Sequence, residues 1–185
     1  VSSPGEWLEC DLVATSGGYS PVVHLASHLG GRPVWREDIL GFVPGDSVGI
    51  QERVSAGAVN GVFKLGDVLA DGFEAGAKAV SEVGFGAVTG ELPRAEKRVE
   101  EASVALFQVP HDKPTSRAPK QFVDQQNDVT TAGIELAVRE GFESVEHVKR
   151  YTALGFGTDQ GKLGNINGLA IAARFLGVTV PQMGT

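Results

Sequence analysis

Residues 130–177 read TTAGIELAVREGFESVEHVKRYTALGFGTDQGKLGNINGLAIAARFLG, and the spacing of their apolar side chains decides the fold of this part of the chain. Thr130 stands where a hydroxyl can cap a helix carrying Ile134, Ala137 and Val138, and Gly141 stops it. Ser144 can cap a second helix with Val145, Val148 and Thr152. A third carries Ile166, Leu169, Ala170, Ala173 and Leu176 and ends at Gly177. Apolar residues three and four apart put one buried stripe on each helix. The reading is a small all-α three-helix domain over residues 120–180, whose limited core leans on a neighbour.

Upstream, residues 1–90 alternate short apolar runs with turns and read as α/β. Leu12, Val13 and Ala14 form a buried-strand pattern that stops at Gly17-Gly18. Pro21 sits at a plausible first helical position, and Gly30-Gly31 closes that turn. Residues 32–45 resemble short strands or a hairpin. Val62 to Leu65 is a second strand-like run, stopped by Gly66-Asp67. Asp71 and Glu74 then make a capping-box-like pair ahead of a helix with Phe73, Ala77 and Val80 on one face and Gly84 at its end. Residues 91–119 are charged and then proline-rich (Pro110, Pro114, Pro119), the chemistry of a linker.

The 185 residues have a globular composition, 42% hydrophobic and 21% charged, with a formal net charge of −7. That charge argues against a nucleic-acid or anionic-membrane surface. A single cysteine, Cys10, excludes an internal disulfide and a four-thiolate metal site, and fits a reducing, cytoplasmic setting. No apolar run is long enough to span a bilayer, and no signal peptide is recognisable. The chain starts at Val1 and stops just after VPQMG, which reads as a segment of a longer polypeptide.

Few residues carry chemistry. From Val62 to Lys78 the chain reads strand, Leu-Gly-Asp, helix. A carboxylate at the end of a parallel strand accepts hydrogen bonds from ribose hydroxyls, and the following helix start offers bare N–H groups to a pyrophosphate. The plain alternative is that Asp67 caps a turn. GFGTDQGK, residues 155–162, invites a phosphate-loop reading. It fails the Walker pattern at Phe156, where glycine is needed, and at Leu163, where Ser or Thr is needed. A weaker phosphate contact remains from Lys162, the N–H groups near Gly161, and Asn165. The alternative is a glycine-rich turn docking on a partner. His24 and His28 are four apart but have no third ligand nearby. His111 lies in the proline-rich segment, and His147 on a charged helical face; both read as solvated. Cys10 reads as packing rather than as a nucleophile. No residue is a convincing catalytic acid, base or nucleophile.

Five strings point further. DLVATSGGYSP (residues 11–21), followed by GVFKLGD (residues 61–67), resembles the C-terminal signatures of two-dinucleotide-domain flavoproteins. The glycine-rich fingerprint that completes such a domain is missing here. Residues 120–177, through FVDQQNDVT, VREGFESVEHVKRYT and GTDQGKLGN, resemble the alpha subunits of heterotetrameric sarcosine oxidases. The sequence departs from that family at Leu163 and Gly164, where small hydroxyl residues are usual, and at Gln125, where an aromatic is common.

The resemblance implies an oxidase that demethylates sarcosine to glycine, forming hydrogen peroxide, with tetrahydrofolate as one-carbon acceptor. It implies NAD in the Rossmann-like part, FMN at the alpha–beta interface, FAD in the beta subunit, and beta, gamma and delta subunits as partners. The cofactor contacts it suggests are Asp67 on a ribose hydroxyl, Gly66 beside it, the backbone from Leu69 through Asp71 to Gly72 near the pyrophosphate, and Lys162 near FMN. The same C-terminal segment is similar to bacterioferritin-associated-ferredoxin-like domains, whose [2Fe–2S] cluster is held by cysteines. Here the four ligand positions are Asp124, Gln126, Asp159 and Gly164, so the scaffold resembles a cluster domain without its cluster.

Overall fold

The computed structural model describes residues 8–12, 14, 18–28, 30–46, 53–88, 90–96 and 104–184. The chain divides into two compact units, one of Gly18–Val104 and one of Ala105–Thr185 together with Val1–Gly17.

In the first unit, a short helix α1 (His24–Ser27) follows Pro21, and Gly30 closes it with a positive φ of 84°. The expected hairpin is present. Strand β1 (Val34–Arg36) pairs antiparallel with β2 (Gly41–Val43), and Trp35 meets Phe42 edge to face at 5.1 Å. Arg36 is paired with Asp38 and donates from Nη1 to the carbonyl of Asn60 at 2.9 Å. That bond ties the hairpin to a 3₁₀ turn at Gly57–Asn60. Gly61 closes the turn at φ 73°, in the left-handed region that favours glycine, with Ile39 Cδ1 close to where a Cβ would stand.

Helix α2 (Leu65–Glu82) ends as expected, with Gly84 at φ 85° and the N–H of Phe85 donating to the carbonyl of Val80. Its start corrects the sequence reading. The Val62–Leu65 strand is absent: Val62 and Phe63 are irregular, and Leu65 is the first helical residue. The helix therefore begins before Asp71 and Glu74, which sit inside it and form no capping box. Leu12 and Ala14 are exposed and in no strand, while Val13 and Gly17 lie outside the described residues. Cys10 is exposed rather than packed. The paired strands among the described residues are all antiparallel, in two two-stranded sheets. The mixture of helices and small sheets bears out the coarse class, and the parallel sheet of a Rossmann-like half is not among the described residues.

The second unit holds the expected helices: α3 (Thr131–Arg139), α4 (Val145–Thr152) and α5 (Asn165–Leu176). It is not all-α. A hairpin of β3 (Phe122–Asp124) and β4 (Val129–Thr130) precedes α3, turning through Asp128 at φ 52°, and a short helix α6 (Val180–Met183) follows α5. The Thr130 hydroxyl caps α3 by accepting from the N–H of Gly133 at 3.2 Å. Ser144 is the N-cap residue of α4, but its side chain makes no capping bond.

Helix α5 is central, packed against α3, α4 and α6. It buries Gly168 through Ala173 on all sides, not as a stripe. Small side chains make this possible: a Cβ on Gly168 would lie 2.3 Å from Leu154 Cδ2. Ile134, Ala137, Val148, Leu154 and Ile171 complete the core. No helix among the described residues is long and apolar enough to cross a membrane. Replacing Ile134 with alanine removes three carbons from a fully enclosed site. It is expected to cost about 2–5 kcal/mol, read as a lowered midpoint in denaturant unfolding followed by helical circular dichroism.

Candidate functional site

Two regions carry the residues singled out from the sequence, one in each unit. In the first, the N-terminus of α2 presents Gly66 and exposed Asp67 in its opening turn. The N–H of Val68 already donates to Lys64, so the N–H groups without helical partners are those of Leu65, Gly66 and Asp67. This corrects the expected geometry. Leu69, Asp71 and Gly72 lie a turn or more into the helix, where their N–H groups are committed to the carbonyls four residues back. They do not offer a helix start to a pyrophosphate.

The Asp71 carboxylate has a structural partner of its own. It accepts from the N–H of Gly57 at 2.6 Å and from Asn60 Nδ2 at 3.4 Å. Asn60 Nδ2 also donates to the carbonyl of Ser55. Asp71 thus pins the 3₁₀ turn onto α2. Gly72 has open space around the position of a Cβ, so no close approach within the described chain calls for glycine there. Asp67 has a plain role as well: a carboxylate in the first turn favours the positive end of the helix dipole.

The second region is the loop from Gly155 to Gly164, held by the β3–β4 hairpin. Asp124 is only 6% exposed. Its Oδ1 accepts from the N–H groups of Gln126 at 2.9 Å and Asn127 at 3.1 Å. Its Oδ2 accepts from Asn127 Nδ2 at 3.3 Å and, across the domain, from the N–H of Gly155 at 2.8 Å. Gln126 Oε1 accepts from both the N–H of Thr158 at 2.6 Å and its hydroxyl at 2.9 Å. The loop is shaped to receive these side chains. A Cβ on Gly157 would lie 2.2 Å from Gln126 Oε1, and Cβ atoms on Gly155 and Gly161 would strike the amide of Asn165.

Of the four positions at which the ferredoxin resemblance puts thiolates, three are thus taken up by hydrogen bonds within the chain and the fourth is a glycine. Asp124 and Gln126 tie the loop to the hairpin, and Asp159 organises the loop internally. Its Oδ1 accepts from the N–H of Gly161 and its Oδ2 from that of Leu163. Gly164 is needed for space, since a Cβ would sit 2.6 Å from the carbonyl oxygen of Val123. Neither carboxylate, amide nor glycine supplies the sulfur that such a cluster takes, and the site does not fit one.

The expected phosphate contact at this loop needs the same correction. The N–H groups of Gly161 and Leu163 point at the Asp159 carboxylate, and that of Lys162 at the Asp159 carbonyl. The chain's own anion occupies the place a phosphate would take. Lys162 is exposed, as are Phe156 (58%) and Leu163 (76%). This network was not foreseen because its partners lie more than 30 residues apart. The one local signal was Asp124 before Gln126-Asn127, an Asx-turn pattern.

Residues 118–185 match the sarcosine oxidase A3 domain family. Nearly the whole chain is homologous to sarcosine oxidase alpha subunits, as the sequence motifs indicated. The subunit from Rhizobium meliloti (strain 1021) is 38% identical over 182 residues, 97% of this chain. Those of Corynebacterium sp. strains P-1 and U-96 are 36% and 37% identical, each over 96% of this chain. The chain spans 18% of the length of each of these relatives.

The Asp124 carboxyl titrates below the usual carboxylate range. Burial pushes it up, but the bonds from Gly155, Asn127 and Gln126 together outweigh that and favour the charged form. Its stabilising contribution is therefore complete above the unfolded carboxylate value of about 3.9 and is lost as pH falls through the lower folded value. Asp124→Asn is expected to lower stability at pH 7. It should also flatten the acid limb of the stability–pH curve, measured by denaturant unfolding at stepped pH.

Proposed function

We propose that this chain is part of an alpha subunit of a sarcosine-oxidase-type complex, where it contributes one edge of a dinucleotide site and a docking module. The observation that carries the reading is the homology along 97% of the chain to proteins named as sarcosine oxidase alpha subunits. In this reading the assembly oxidatively demethylates sarcosine to glycine, forms hydrogen peroxide and passes the one-carbon unit to tetrahydrofolate, in the cytoplasm. A beta subunit bearing FAD, together with gamma and delta subunits, completes it.

For NAD, the arrangement supports a smaller contact set than the sequence suggested. The Asp67 carboxylate is exposed to accept from a ribose hydroxyl, and the unpartnered N–H groups of Leu65, Gly66 and Asp67 face outward from the helix start. Asp71 is engaged with Gly57 and acts on this site by holding the turn beside it. At the 155–164 loop, Lys162 is the remaining group for an anionic flavin, since the backbone donors around it are taken by Asp159. Phe156 and Leu163 give that loop the apolar surface of a docking element.

A second reading, a purely structural and interaction module, is favoured by one feature: both acidic groups best placed to organise a nucleotide loop, Asp71 and Asp159, are bonded within the chain. Asp67 separates the two readings. In the full-length complex, Asp67→Ala is expected to weaken NAD retention about tenfold or more, the scale of a lost hydrogen bond to a charged group. Released NAD after gel filtration measures this. NAD content equal to that of the unaltered complex would reject the dinucleotide role and leave the structural one.

A further inference from the structure

We propose that Asp124 and Gln126 form a metal-free latch that holds the 155–164 loop against the β3–β4 hairpin and lets the loop open as a unit while the helices stay folded. Most of the loop's remaining backbone bonds are local. Phe156 donates to Ala153, Gln160 to Gly157, Lys162 to Asp159, and the Asp159 carboxylate serves Gly161 and Leu163. Among the described residues, the hydrogen bonds from loop N–H groups to the hairpin are those of Gly155 to Asp124 and Thr158 to Gln126. The loop therefore keeps its internal shape when those two points release.

Its ends are fixed, and near its C-terminal end Gly161 is also buried and accepts from the N–H of Asn165 at 2.9 Å, so the span that moves on opening is residues 156–160. Leu154 is fully buried just before the loop, and Gly164 is clamped under the Val123 carbonyl at its end. Between them Phe156 and Leu163 point to solvent and add little to the core. Ala153, Gly155, Gln160 and Gly161 all carry positive φ, from 54° to 76°, so left-handed residues lie at both ends of the segment.

The latch is also cheap to open. Asp124 loses only the Gly155 bond and keeps those from Gln126 N–H, Asn127 N–H and Asn127 Nδ2, so opening leaves no bare buried charge. Gln126 is exposed, and its amide oxygen exchanges Thr158 for water. Local opening of this kind belongs to the low-free-energy end of native-state fluctuations. The inference rests on the loop alone and holds whether or not the docking or NAD reading does.

Native-state hydrogen exchange by mass spectrometry on the full-length protein tests it. Peptides covering 155–164 are expected to exchange faster than those covering α3 and α5. Gln126→Ala should accelerate the loop about tenfold with α3 and α5 unchanged, the scale of one or two lost hydrogen bonds. Asp124→Asn should act in the same direction. If that variant fails to fold, Gln126→Ala carries the test, because its side chain lies outside the core. Loop exchange unaltered by Gln126→Ala overturns the latch. So does parallel acceleration of the helices, which would make the loop part of the global unfolding unit.

Discussion

The C-terminal unit depends on the enclosure of α5. A helix buried on every side must let its neighbours come close, and the chain meets that constraint with glycines at positions 164 and 168, four apart and so on one face. Gly168 admits the side chain of Leu154, and Gly164 admits the backbone of β3. Once β3 is that close, Asp124 stands within reach of Gly155, and Gln126 within reach of Thr158. The hairpin, the loop and the helix therefore share one packing solution. A thiolate at position 164 is incompatible with it, because any Cβ there meets the Val123 carbonyl. The exclusion of a side chain at position 164 and the tight seating of α5 are two consequences of the same close approach.

The same physics explains what the sequence made legible. Helices α3, α4 and α5 follow from apolar spacing plus Thr130, Ser144 and Gly177 at their ends, all local signals. The hairpin at residues 34–43 and the end of α2 at Gly84 were equally local. The start of α2 misled because Val62, Phe63 and Leu65 look like a β run and Gly-Asp looks like a stop. In the structure the dipeptide opens the helix, Gly66 lying in the first turn and Asp67 favoured there by the dipole. The Asp124 and Gln126 network was invisible because periodicity carries no information about partners so distant in sequence. Gln126, beside a turn, reads as an ordinary surface amide.

Glycine-rich stretches before helices attract phosphate readings, and this chain shows how such a stretch is diverted. What makes a loop bind phosphate is a set of backbone N–H groups converging without internal acceptors. In the 155–164 loop the converging groups are satisfied by Asp159 from within. One residue at the centre of the turn thereby changes the loop from an anion receptor into a self-contained surface. The apolar side chains of Phe156 and Leu163 are then what the loop offers outward.

The two units differ in how far they complete themselves. Helix α5 finds its whole environment within its own unit, whereas α2 spans 18 residues and has no buried one. Its apolar residues Val68, Leu69 and Phe73 stay partly exposed, although they line one side as a packed helix requires. The bonds that hold it are polar: Asp71 to the 3₁₀ turn, reinforced by Arg36 across to Asn60. Hydrogen bonds of that kind fix direction and register but supply little net stability compared with apolar burial. The apolar side of α2 is thus only partly covered among the described residues, with the 3₁₀ turn at Gly57 beside Val68 and Gly90 beside Phe73, and polar bonds rather than deep burial set how the turn and helix meet.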